Sequence, residues 1–196
     1  METTASTTPA LHPIRVLVND DLQRNRLTVF FRLILAIPGL LWASLWGVIA
    51  VLALIVDWFA TLITGRSPEG LHNFLATYLR FVTHLRAYIL LIADPFPGFT
   101  GRQGTYPIDL EVDPPEPQSR LTVLFRIILA IPAAIVANVL QNVAGIVAIL
   151  AWFYALFTGK ANKGMRDLQA YCLRYQAQTH GYLLLLTQRY PSFSDD

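Results

Sequence analysis

Two arginines sit at the centre of polar stripes on segments that are otherwise apolar. Asn73, Thr77, Arg80 and His84 fall at i, i+4, i+7 and i+11, which is one face of a helix. Asp167, Tyr171, Arg174 and Gln178 repeat that spacing 94 residues later. A guanidinium offers a planar fork of donors that matches phosphate and carboxylate. Arg80 and Arg174, with Arg32, Arg126 and His84, are therefore candidate lipid- or anion-binding groups. The plainer role for such residues is to snorkel to a polar boundary or to hold backbone carbonyls. Asn138, Gln141 and Asn142 stand at i, i+3 and i+4 in an apolar run, a spacing suited to helix–helix contact. Asp57 is the only acid within its apolar run and is expected to reach the interface or pair with Arg66.

Other chemistry is thinly represented. No Ser/His/Asp elbow, HExxH motif, phosphate loop or paired carboxylates are present. The single Cys172 allows no internal disulfide. The expectation is a non-enzymatic protein with no catalytic residue, no metal and no cofactor. A net charge of +2 argues against a nucleic-acid partner.

The elements that carry these residues are written twice. His12–Phe99 aligns with Tyr106–Phe193 at an offset of 94, without a gap, and 31 of the 88 pairs are identical. The organisation expected is a disordered tail over 1–11, membrane repeat 1 over 12–99, a linker over 100–105, membrane repeat 2 over 106–193 and a C-terminal tail over 194–196.

Mean hydropathy is +0.45, and charged residues make up 14% of the chain, against about 25% in soluble domains. Leu33–Val56 is 24 residues without a charge and Ile127–Gly159 is 33. At about 1.5 Å per residue the shorter run already exceeds a hydrocarbon core of about 30 Å. Met1–Pro13 is polar and lacks the features of a cleavable signal, so the first apolar segment is expected to act as the insertion signal.

Each copy opens on a short alternating segment, Pro13–Val18 and Pro107–Val112. Ile108, Leu110 and Val112 share one face there, with Asp109 and Glu111 on the other. Two such strands in one chain are expected to pair as a small β-ribbon at the membrane surface, with Arg15 opposite Asp109 or Glu111. Pro38 and Pro132 divide the apolar runs, which predicts a short helix over Leu27–Ile37 and spans over Gly39–Ile63 and Ala133–Phe157. Ser67-Pro68-Glu69 reads as a helix start with Ser67 as cap. The helix that follows is expected to end near Ala93.

The recurring Arg-Leu-Thr-Val-x-Phe-Arg, Ile-Leu-Ala-Ile-Pro, Trp-Phe-x-x-Leu-x-Thr-Gly-[Arg/Lys], Leu-Arg and Pro-x-Phe motifs resemble a bacterial membrane family catalogued as domain of unknown function 4389. Both copies carry them, from residue 12 onward. The resemblance implies a bacterial plasma membrane location and supplies no reaction or catalytic residue. It does depart from this chain in one place: a Trp often follows Leu-Arg in the family, where this chain has Phe81 and Tyr175.

The fold expected is mainly α and integral to the membrane, a tandem unit of short strand, kinked apolar helix and amphipathic helix. Eight basic residues flank the repeat ends against four in the inter-helix loops, which favours four transmembrane helices with N- and C-termini cytoplasmic. The function expected is a scaffold or accessory subunit that binds the lipid bilayer or a membrane partner protein, or associates as a homo-oligomer. The alternatives are a small transporter or channel with an anion path lined by Arg80 and Arg174, and a membrane enzyme acting on lipid.

Overall fold

A computed structural model describes residues 11–194. The expected tails lie almost wholly outside the described residues. The order is β1 (Ile14–Val18), α1 (Arg26–Thr64), α2 (Glu69–Ile89), β2 (Ile108–Val112), α3 (Arg120–Leu124), α4 (Arg126–Thr158) and α5 (Lys163–Leu183).

The strands pair as the alternation predicts. β1 and β2 are antiparallel, and Val16 faces Leu110, its own repeat equivalent. That register is self-complementary: Ile14 pairs with Val112 and Val18 with Ile108. A two-fold axis therefore passes between Val16 and Leu110, normal to the ribbon. The hydrogen bonds obey it. Asn19 N–H donates to the Pro107 carbonyl (2.8 Å) and Asp113 N–H to that of Pro13 (3.0 Å). Arg24 N–H reaches the Gly159 carbonyl (3.0 Å) and Gln118 N–H that of Gly65 (2.8 Å). Trp58 Nε1 donates to the Val123 carbonyl and Trp152 Nε1 to that of Val29. Every one of these pairs crosses from one copy to the other.

The same contacts orient the helices. The start of α1 lies against the end of α4, and the end of α1 against the residues that precede α4, so α1 and α4 run antiparallel. Antiparallel helices related by a two-fold lie perpendicular to its axis. The expectation that both copies cross in one direction thus gives way to opposed directions. Within each copy the helices also oppose: Arg32 meets Tyr88, and Asp57 meets Ser67.

Three layers stack along the axis. Among the described elements the ribbon packs on α2 and α5, which touch each other, and on no other. Beneath α2 and α5 lie α1 and α4, in contact with one another. The core occupies the interface between ribbon and middle layer, with Ile14, Leu75, Leu110, Ile108, Cys172 and Leu173 at most 1% exposed. The alternation holds for Ile108 and Leu110 but not for Asp109, which is also buried because α2 supplies it with a partner.

Pro38 does not divide the first apolar run. α1 continues through it for 39 residues, and Pro132 lies inside α4. A proline removes one helical hydrogen bond, whereas ending the helix leaves several amides unpaired among apolar side chains. In copy two the interruption falls earlier, at Phe125 between α3 and α4. Ser67 does not cap α2, since its hydroxyl donates to Asp57 instead (2.7 Å). The cap position is Pro68, and α2 stops at Ile89 rather than near Ala93. Gly65 and Gly159 close α1 and α4 in the left-handed region, as expected of C-terminal glycines.

Gly101 seats the inter-repeat linker on α2. It has φ +58°, and a Cβ there would stand 2.4 Å from the Thr77 carbonyl oxygen and 3.0 Å from the Phe81 Cβ. Gly101→Ala is expected to cost about 2 kcal/mol or more from left-handed strain and overpacking. A fall in thermal midpoint in detergent solution measures it, and an unchanged midpoint would refute the tight seating of the linker.

Candidate membrane-facing surface and buried polar sites

The apolar face comes first because it is the largest feature. α1 alone exposes 19 large apolar side chains, among them Leu33 (72%) and Ile63 (72%). Its buried positions, including Val29, Arg32, Ala36, Gly39, Ala50 and Asp57, form one narrow stripe facing α2 and α4. α4 repeats the pattern with Arg126, Ala130, Ala133, Ala137, Ala144, Ala151 and Ala155. Small residues on that stripe bring the layers close, and the remaining circumference stays apolar and uncovered. α1 and α4 are both long and apolar enough to cross a membrane. All four Trp of the chain (42, 46, 58 and 152) lie on these two helices.

Arg32 and Arg126 occupy the centre of a clasp made twice. Arg32 Nη1 donates to the carbonyls of Tyr88 (2.6 Å) and Ala93 (2.9 Å), and Nη2 to Asp94 Oδ1 (2.8 Å). Arg126 Nη1 donates to the repeat-equivalent carbonyls of Tyr182 (2.9 Å) and Thr187 (2.6 Å), and Nη2 to Gln118 Oε1. Each guanidinium also lies over its tyrosine ring, at 4.4 and 4.2 Å. The groups served are the orphan carbonyls at the ends of α2 and α5, where the helix dipole favours a cation.

Both helix ends turn through a left-handed leucine, Leu91 and Leu185, each at φ 61°. That conformation costs a non-glycine residue about 1–2 kcal/mol. It is held by Ile92 N–H to the Ala87 carbonyl, and by Leu186 N–H to that of Gly181. Arg24 caps the Leu91 carbonyl and pairs with Asp20 (2.7 Å), while Gln118 caps the Leu185 carbonyl. The identity of Arg32 with Arg126 and of Tyr88 with Tyr182 across the copies is the signal in the sequence that marks this device.

Arg80 and Arg174 lie on the opposite side of the middle layer, one at each edge of the ribbon. Arg80 Nε donates to the Leu110 carbonyl (2.7 Å) and Nη1 to that of Gly101 (3.3 Å), with Asp109 at 3.7 Å. His84 Nε2 meets Asp109 Oδ1 at 2.9 Å. Arg174 stacks on Tyr171 and donates to the Phe193 carbonyl (3.0 Å). The two arginines line separate crevices, one with Asn73, Thr77 and Asp113, the other with Asp167, Tyr171 and Val18.

Asp57 accepts from Ser67 and Thr61 rather than pairing with Arg66, which turns to the Pro115 carbonyl. Asn142 bonds back to Asn138 on its own helix rather than to another. Asn138 and Gln141 instead rim a cavity completed by Arg86, Gln176, Thr179 and His180. In the sequence Arg86 lies near the stripe of His84, and Gln176 only adds polarity to its helix; nothing in their spacing pairs the two. Among the described residues no group of three or more potential metal ligands gathers.

The fold and surfaces define a two-copy helical protein whose ordered ribbon side is polar and whose opposite layer is apolar and bare. A family model described as a domain of unknown function (DUF4389) matches residues 26–100 and again 120–195. The chain belongs to that family and carries two tandem copies of its domain. No curated protein and no solved structure matches it.

Arg32→Ala and Arg126→Ala are each expected to destabilise by about 3 kcal/mol, because carbonyls and a polar side chain lose a buried cation. Lysine at either position, a point charge without the fork, should recover little. Thermal midpoints in detergent measure both, and a fully stable Arg32→Lys would contradict the clasp.

Burial holds the imidazoles of His12, His72 and His84 below their ordinary value of 6.5. The unfolded chain then takes up protons that the folded chain refuses, so stability is full above pH 6.5 and falls as the pH drops below it. A thermal midpoint that rises on acidification from about pH 7 to pH 5 would show the opposite linkage.

Proposed function

We propose that the protein is a non-enzymatic lipid-binding scaffold that lies in the plane of a membrane, with α1 and α4 sunk in one leaflet and the ribbon in water. The single observation that carries this is the perpendicular relation between the two-fold axis and the helices. The ribbon packs at the middle of α2 and α5, through Arg80 and Gln178. If the helices stood upright in a bilayer, Arg15, Glu111 and Asp113 would sit near its centre. Each such charge costs about 2.5–3.5 kcal/mol on insertion scales. Laid flat, the same molecule puts every ribbon charge on one side and the apolar layer on the other.

The dimensions support this orientation. A helix with its side chains is about 10–12 Å thick, and half of a hydrocarbon core is about 15 Å. One helical layer therefore fits within one leaflet. The bare apolar face is far larger than the few hundred Å² that soluble monomers expose. α1, at 39 residues, would extend about 58 Å, well beyond the thickness of a bilayer core. The buried Asp57 and the ends at Arg26 and Arg66 then need no passage through lipid.

The test uses single cysteines at the two ends of α1, Asp21→Cys and Arg66→Cys, each in a Cys172→Ala background. The full chain is inserted into sealed vesicles. A membrane-impermeant maleimide is expected to label both ends from the same side. Labelling of the two ends from opposite sides would establish a spanning helix and overturn the in-plane reading.

A further inference from the structure

We infer that the junction of α2, α4 and α5 is a binding site for a single-chain anionic amphiphile of the fatty-acid type. The carboxylate would lie at Arg86 and Gln176 and the chain in the groove beside Trp152. The inference rests on the in-plane reading, since the ligand reaches the groove from the leaflet.

The polar end is a cavity of about 230 Å³ between the layers, lined by Arg86, Asn138, Gln141, Gln176, Thr179 and His180. Its donors outnumber its acceptors. Arg86 gives one bond to Gln176 Oε1 (3.1 Å) and has no carboxylate partner among the described residues. Gln176 is 1% exposed, and its Nε2 has no acceptor. His180 Nδ1 donates to the Gln176 carbonyl (2.7 Å), so Nε2 of the neutral imidazole is an acceptor, and the donors free for an anion are those of Arg86 and Gln176 Nε2. A buried amide donor and an unpaired guanidinium call for an anion, because each costs free energy until it finds an acceptor.

The apolar end adjoins it. A groove of about 500 Å³ is lined by Leu33, Ile89, Leu90, Gly145, Ala148 and Trp152, and it shares Gln141 with the polar cavity. That volume lies within the range usual for small-molecule sites. The two spaces follow one stripe of α4, from Ala134 through Asn138, Gln141, Gly145 and Ala148 to Trp152. A free phosphate or acetate would leave the groove empty. A single chain with an anionic head fills both.

The two-fold supplies an internal comparison. The symmetry-related groove, lined by Leu54, Ile55, Trp58, Arg126 and Ile127, holds only about 220 Å³. Val51 and Leu54 stand there where the larger groove has Gly145 and Ala148. Its polar end has Ser44, Gly47 and Val82 in place of Asn138, Gln141 and Gln176. Five differences between the copies thus converge on one place, and each enlarges the site or adds hydrogen-bonding capacity to it.

The test uses the full chain in phosphatidylcholine vesicles with a diazirine-bearing palmitate as probe. Peptide mapping finds the cross-link, and flotation is measured on the same sample. Labelling is expected to concentrate on residues 134–152. Unlabelled palmitate should displace it at least about tenfold better than methyl palmitate or acetate, the loss that goes with one charge-assisted hydrogen bond. Arg86→Gln should weaken labelling by a similar factor, and Gly145→Leu with Ala148→Leu should remove it from the groove.

Equal competition by methyl palmitate, or labelling spread evenly over α1 and α4, would overturn the site even if a variant failed to fold. A protein that floats with vesicles but shows no such preference loses only the amphiphile site. A protein that fails to float loses the membrane reading as well.

Discussion

The antiparallel pairing of β1 with its own copy, β2, constrains everything else in the molecule. A single five-residue strand has no partner within its repeat, and an isolated one is not stable. Two copies can satisfy each other only about a two-fold, and an antiparallel register centred on Val16 and Leu110 makes that axis normal to the ribbon. About that axis the contact of Arg24 with Gly159 lays the start of α1 against the end of α4, so the two helices run in opposite directions. Each repeat also completes the other's ends, through Trp58 with Val123 and Trp152 with Val29.

The layering follows from hydrogen-bonding demand as much as from hydrophobicity. α2 and α5 carry the polar side chains that the ribbon's carbonyls and carboxylates require, so they form the middle layer. α1 and α4 have little on their surfaces to offer except the arginine clasps at one end. They are held beneath by Arg32 and Arg126, which tie them to the ends of α2 and α5. What remains uncovered is apolar nearly all round, a surface whose exposure to water costs free energy in proportion to its area.

The duplication is symmetric in backbone and unequal in side chains. Both clasps keep the arginine, its two carbonyl partners and the tyrosine ring beneath the guanidinium, while the third partner changes from Asp94 to Gln118. The interior grooves have diverged: Gly145 and Ala148 leave space where Val51 and Leu54 fill it. A second copy gives the fold a scaffold half that can stay packed while the other half opens.

Periodicity and repetition alone determined a great deal about this protein: the two copies, the pairing of their strands as a ribbon, the long apolar runs and the glycine stops at Gly65 and Gly159, while the choice of Glu111 over Asp109 opposite Arg15 came from the structure. The features legible in the sequence are local properties, decided by alternation, by runs of side chains and by backbone conformations that only certain residues tolerate. The continuity of α1 through Pro38 was not legible, because a proline's local penalty competes with the cost of unpaired amides in apolar surroundings. Nor were the roles of Arg32, Asp57, Arg86 and Gln176, whose partners lie on other elements. The direction of the second copy was decided by the tertiary structure alone. Counting basic residues treats the loops as independent, whereas the bonds of Trp58 to Val123 and Trp152 to Val29, made only once the two copies pack, set α1 and α4 in opposite directions.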